Sequence, residues 1–147
     1  MLIISQGLLE QIQRHGQSSY PFEGCGLLLG QMDIGRNTVQ AVHPAPNSWE
    51  TEEEKRVRFR ISDSDMLDAE LEAVEMNLDV IGIFHSHPDH PPTASPRDLV
   101  WATWPGYSYL ITEMANGKSG SSKSWQLRND RQGFDEEEIL LRDRRDT

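Results

Sequence analysis

Val80-Ile81-Gly82-Ile83-Phe84 is apolar throughout and rich in β-branched side chains, and it runs without a break into His85-Ser86-His87. An alternating strand can leave one face in water. A strand with no polar position cannot, so this one is expected to be central in a sheet and covered on both faces. That requirement demands a layer on either side, and the flanking sequence supplies helices for it. Ser5 can cap a first helix in which Leu8, Leu9 and Ile12 recur at helical spacing. Phe59 and Ile61 lead into a second, which Ser62 or Asp63 can cap. Its Leu67, Leu71, Val74 and Leu78 keep an i, i+4, i+7, i+11 stripe, the expected buried face. Asp63, Asp65, Asp68 and Glu70 crowd the start of this helix, where its dipole favours negative charge.

Other strands are marked by composition and by punctuation. Leu27-Leu28-Leu29 reads as a short buried strand, with Thr38 to Val42 as its neighbour across a turn at Asp33 to Asn37. Ser95-Pro96-Arg97-Asp98 is a strong helix start, serine capping and proline at the first helical position. Tyr107 to Thr112 and Trp125 to Arg128 alternate as strands on either side of a flexible turn, and the first leaves an edge available to a homodimer. Residues 47–57 carry a dense charge run with no period and read as a surface loop. The tail, 129–147, adds one more strand or helix before a frayed end. The order αββαβαββ implies an α/β (α+β) protein with a mixed sheet packed against helices, and 147 residues fit one domain, 1–147.

The single cysteine, Cys25, excludes an internal disulfide and every zinc site built from two or more thiolates. It reads as a small buried residue. The net charge of −10 argues against nucleic acid or an anionic membrane surface as partner. No apolar run approaches the roughly 20 residues that span a bilayer, and the first residues lack the pattern of a secretory signal, so the expected compartment is the cytoplasm.

The segment HSHPDHPPTASPRD, residues 85–98, carries the chemistry. In extended backbone, positions i and i+2 point to the same side, so His85 and His87 can aim at one point. Neutral imidazole is the commonest zinc ligand, and Asp98, in the first turn of the next helix, can reach the same place. Two histidines and one carboxylate leave a fourth position for water, the catalytic rather than the structural arrangement. A nearby carboxylate is then needed as general base, and Glu23, in the kinked YPFEGCG loop, is the best candidate. His90 shares the loop but reads as an exposed residue. Ser86 is placed to hold neighbouring backbone or a carboxylate behind the ligands, and Asn47 and Trp49 to line a groove.

With Glu23 upstream, residues 85–98 resemble the JAMM (MPN+) motif: a glutamate, then His-Ser/Thr-His, seven residues, Ser, two residues and Asp. YPFEGCGLLLG, RFRIS, IGIFHSHPDHP and WPGYSYLI are similar to the small single-domain JAMM zinc metallopeptidases of prokaryotes, so that the resemblance covers about residues 1–128. It implies the MPN fold, a cytidine-deaminase-like curved mixed sheet flanked by helices. It implies zinc on His85, His87 and Asp98, the activated water on Glu23, and Ser95 stabilising the oxyanion. It further implies hydrolysis of an amide or isopeptide bond at the C-terminal Gly-Gly of a ubiquitin-like sulfur-carrier protein, releasing an amino acid such as cysteine or a short extension.

The alternatives are a deubiquitinase-like isopeptidase and a non-catalytic MPN scaffold that binds a partner protein; a scaffold need hold no metal. A base deaminase shares the architecture but requires a Pro-Cys-x-x-Cys pair that one cysteine cannot supply. A structural zinc site is normally closed by four protein ligands.

Overall fold

The computed structural model describes residues 1–96, 98 and 104–142. The elements are β1 (Leu2–Ser5), α1 (Gln6–Ser19), β2 (Cys25–Asp33), β3 (Arg36–Ala45), a 3₁₀ turn (Glu53–Arg56), α2 (Asp63–Glu75), β4 (Asp79–Pro88), β5 (Ser108–Ala115), β6 (Lys118–Leu127), β7 (Phe134–Glu137) and β8 (Ile139–Arg142). Pro96 and Asp98 are helical, as the Ser-Pro start predicts; residues 97, 99–103 and 143–147, on which the continuation of that helix and the expected frayed end fall, lie outside the described residues.

Among the described residues, the eight strands form one mixed sheet, in the order β7-β6-β5-β4-β2-β3-β1-β8. β4 lies inside it, antiparallel to β2 and parallel to β5. Its neighbours bury it from both sides. Cys25, Leu27, Leu29, Ile83 and Tyr109 pack with Ala69 and Ala73 of α2, while Leu28, Ile81, Phe84 and Leu110 pack with Ile12 of α1 and with Leu2 and Ile4. The period-2 alternation of β2 is legible in this division, since odd and even residues go to opposite layers. Gly82 is required because a Cβ there would run into the carbonyl oxygen of Ser108 on β5. Gly35 has φ +77°, which the tight β2–β3 turn needs.

Four expectations are corrected. The first helix is capped by Ser5, whose side chain accepts from Leu8 N–H, but a strand, β1, precedes it. β5 is paired on both sides, so Tyr107 to Thr112 offers no edge to a second copy. The tail forms two strands rather than one element, β7 on β6 and β8 on β1. The stripe on α2 has the right period and the wrong phase. Leu67, Leu71 and Val74 are 54%, 54% and 73% exposed, whereas Ala69 and Ala73 are buried and Met66 packs on the same core. A shift of one residue turns a helix by about 100°, and the small alanines let α2 lie close on the sheet. Its Ser62 cap is as expected, and a His43 Nδ1–Glu72 Oε2 contact of 2.6 Å ties it to β3.

Candidate metal centre

β4 ends in the two histidines, and its pairing fixes where they point. His85 stands opposite Cys25 and Ile111, and His87 opposite Glu113. Both rings are buried, with Nε2 atoms 3.1 Å apart. Asp98 closes the group: Oδ1 is 3.0 Å from His85 Nε2 and Oδ2 is 3.3 Å from His87 Nε2. Asp98 is itself held, since Oδ2 accepts from Ser95 N–H at 2.8 Å and Ser95 Oγ accepts from Asp98 N–H at 3.3 Å. This reciprocal cap leaves the Ser95 hydroxyl proton free to donate elsewhere.

The rings are oriented from behind. The Pro91 carbonyl can only accept, so His87 Nδ1 donates to it at 2.8 Å, and the lone pair of the neutral ring falls on Nε2. His85 is stacked on Phe59 at 4.6 Å between centroids, and its Nδ1 is buried without a hydrogen-bond partner among the described residues. Burial lowers the pKa of His85, against the opposing pull of Asp98. Burial also disfavours the charge on His87, but the hydrogen bond and charge of Asp98 and the Pro91 carbonyl outweigh it and raise that pKa. Burial of Asp98 is likewise outweighed, here by the charges and hydrogen bonds of the two histidines, which hold its carboxyl well below the usual range. Three ligand atoms that lie within 4.8 Å of one another can hold a metal ion.

The cluster is the wall between two cavities. One, about 330 Å³, is apolar: Phe59, Ile61, Met66, Ile111 and Phe134 line it together with His85 and Asp98. The other, about 420 Å³, is lined by Glu23, Val57, His87, His90, Ser95 and Pro96 among others. Glu23 and Ser95 thus open onto one space beside His87. Glu23 is buried at 4% exposure, and its position is tied to β4 by its neighbour: Gly24 N–H donates to Ser86 Oγ at 2.8 Å and Gly24 carbonyl accepts from Ser86 N–H at 2.9 Å. Ser86 therefore holds backbone, as expected.

Cys25 is in the core, its thiol 3.7 Å from the carbonyls of Ala45 and Pro46, and burial, then the charges of Glu23 and Asp65, pushes it up to about 12. Neither Asn47 nor Trp49 lines the two cavities. Asn47 turns inward to hold backbone, and Trp49 lies under the guanidinium groups of Arg58 and Arg60. Sequence reasoning missed the apolar cavity. Its signal was present in Arg58-Phe59-Arg60-Ile61, whose alternation sends Phe59 and Ile61 to one side, but Phe134 from the tail left none.

A protein family described as prokaryotic homologs of the JAB domain matches residues 5–128. The chain belongs to this family. Among curated relatives, a desampylase of Haloferax volcanii is 40% identical over 92 residues, 62% of each chain. A probable TtuB-protein conjugate cleaving protease of Thermus thermophilus is 33% identical over 71% of this chain and 65% of its own length, and a desampylase of Pyrococcus furiosus 35% identical over 86% and 81%. The chain thus spans slightly under two thirds of the first two. A solution structure of a protein from Desulfitobacterium hafniense superposes with a TM-score of 0.84 at 30% identity, covering 97% of this JAB-family chain and 94% of that one. A JAB1/MPN domain protein from Archaeoglobus fulgidus does so at 0.56 and 22%, covering 96% of each, and shares the fold.

Proposed function

We propose that this protein is a zinc metallopeptidase that hydrolyses the amide or isopeptide bond at the C-terminal Gly-Gly tail of a ubiquitin-like sulfur-carrier protein. The observation that carries the proposal is the His85–His87–Asp98 cluster, with Glu23 and Ser95 on one side and an apolar cavity on the other. Tetrahedral zinc with bonds of about 2.0–2.1 Å separates its ligand atoms by roughly 3.3 Å. The separations of 3.0, 3.1 and 3.3 Å fit it. Two imidazole nitrogens this close to each other and to a carboxylate suit a cation held between them.

Zinc, when bound, lowers the pKa of water and polarises the scissile carbonyl. Glu23 takes the proton of the attacking water as the C–O bond forms, and hands it to the leaving amine as the C–N bond breaks. The Ser95 hydroxyl donates to the oxyanion, a contribution typically of about 3 kcal/mol. The carrier tail lies extended along residues 58–61, with an apolar side chain upstream of Gly-Gly in the cavity beside His85. Exposed Leu67, Leu71 and Val74 on α2, the helix whose Asp63 and Met66 line that cavity, meet the folded body of the carrier. The named activities of the relatives favour a protein conjugate, with a lysine amine as leaving group, over release of a free amino acid.

The test is incubation of the purified protein with a carrier-protein conjugate, the products being weighed by mass spectrometry. Cleavage is expected with zinc, lost on chelation and regained on adding zinc back. Glu23→Gln is expected to lose on the order of 10²–10⁴-fold in kcat while binding zinc as tightly as the parent. An intact conjugate in every condition, or an unimpaired Glu23→Gln, would overturn the proposal.

A further inference from the structure

Four hydrogen bonds converge on the side-chain amide of Asn47. Nδ2 donates to the carbonyls of Glu23 at 3.0 Å and Arg58 at 2.9 Å, and Oδ1 accepts from the backbone N–H of Trp49 at 3.1 Å and Arg60 at 3.2 Å. Carbonyls only accept and N–H groups only donate, so the amide has one orientation and both its donors and its acceptor oxygen are engaged. The two segments it joins are the ones that matter for the chemistry. One carries Glu23. The other supplies Phe59 and Arg60 to the wall of the apolar cavity, and Phe59 stacks on His85. The backbone around Glu23 is held at two further points, by Glu23 N–H on the Lys55 carbonyl at 2.7 Å and by Gly24 on Ser86.

We infer that Asn47 is a positioning residue, which aims the Glu23 carboxylate by clamping its backbone to the cavity wall. The inference rests on Glu23 acting as the base proposed above. Ser86 fixes the Glu23 loop to the strand that bears the histidines, and Asn47 fixes the same loop to the segment against which the tail lies. Seating of the tail on residues 58–60 and aim of the carboxylate therefore share one clamp. Removing the amide takes its hydrogen bonds from the Glu23 and Arg58 carbonyls and from Trp49 and Arg60 N–H, and none of these bonds is to His85, His87 or Asp98.

Asn47→Ala is expected to lower kcat on a carrier conjugate on the order of 10²-fold, the usual penalty for a small misplacement of a catalytic group. KM is expected to rise by less than kcat falls, within about threefold, since residues 58–60 lose their tie to Asn47 while the apolar cavity still receives the tail. Zinc affinity, read by competition with a chelator, is expected to be unchanged, and hydrogen exchange in the peptide 20–26 to accelerate. Asn47→Asp keeps the shape but turns an oxygen toward two carbonyls, so it is expected to show the same losses. Should the alanine variant not fold, Asn47→Ser carries the same expectation. Glu53→Ala, on the exposed side of the same loop, is expected to match the parent throughout. Folded Asn47 variants with parental kcat and parental exchange at 20–26 would overturn the inference, as would a loss of kcat that only tracks lost zinc. If the parent cleaves no conjugate, the proposed function fails, and the exchange measurement, which needs no substrate, still decides the clamp.

Discussion

Asp98 meets each imidazole with a different oxygen, and its reciprocal hydrogen bonds with Ser95 hold its carboxylate in that position. Cys25, close by in sequence, is the counterexample of a chemically capable side chain kept out of the chemistry. Its thiol is pushed up to about 12, chiefly by burial, whereas an unfolded cysteine titrates near about 8.5. The protein therefore holds the Cys25 proton where the unfolded chain has already lost it. Stability from this group is complete below about pH 8.5 and falls between about 8.5 and 12, by up to about 1.4 kcal/mol per pH unit. Urea unfolding at a series of pH values is expected to show a steeper alkaline loss for the parent than for Cys25→Ala, and equal slopes would refute the assignment. Thiol reagents are expected to label the native protein hardly at all at pH 8. At this scale the sequence was informative where strand geometry alone decides, as for His85 and His87. It misassigned Asn47 to the lining of a groove, because a bond from residue 47 to residue 23 depends on the path of an aperiodic loop.

Helix α2 shows what periodicity can and cannot convey. The interval between apolar side chains identifies a helix, but it does not say which of two adjacent stripes is buried, and size misleads when close approach is what the sheet requires. Met66, Ala69 and Ala73 face inward because alanine permits a short distance between helix and sheet, while Leu67, Leu71 and Val74 remain in water. Two substitutions separate these faces. Ala73→Leu forces extra volume into a closed space and is expected to cost about 1–3 kcal/mol in chemical denaturation. Leu71→Asp is expected to change stability by no more than about 0.5 kcal/mol. It is nevertheless expected to raise KM for a folded carrier conjugate severalfold while leaving cleavage of a short tail peptide as it was. Unchanged KM for the folded substrate would remove α2 from the docking face.

At the scale of the molecule, the last strands are the least expected part. Residues 129–147 are short and charged, and the family match ends at 128. Yet β7 extends the sheet on β6, with Phe134 against Tyr109 at 5.6 Å, and β8 covers the far edge on β1. Edge pairing of this kind leaves little trace in local sequence, because what it satisfies is backbone rather than a hydrophobic period. Ser124 Oγ donating to Glu137 at 2.7 Å adds a half-buried polar tie. A chain ending at residue 128 is expected to melt lower and to associate, as judged by thermal unfolding and size-exclusion chromatography, because two strand edges and one wall of the cavity are laid bare. A monomer of unaltered melting temperature would contradict this.

β7 and β8 lie at opposite ends of the strand order yet are joined by Glu138 alone, whose carbonyl accepts from Leu2 N–H at 2.8 Å. The sheet must curl until its ends meet there, like a bracelet with one clasp. Residues 134–142 leave the ribosome after everything they have to join. Until they do, β1 has β3 beside it but lacks its second partner, which lies 137 positions downstream at Leu2–Ile139, and both ends of the sheet stay open, the kind of late long-range pairing that slows folding.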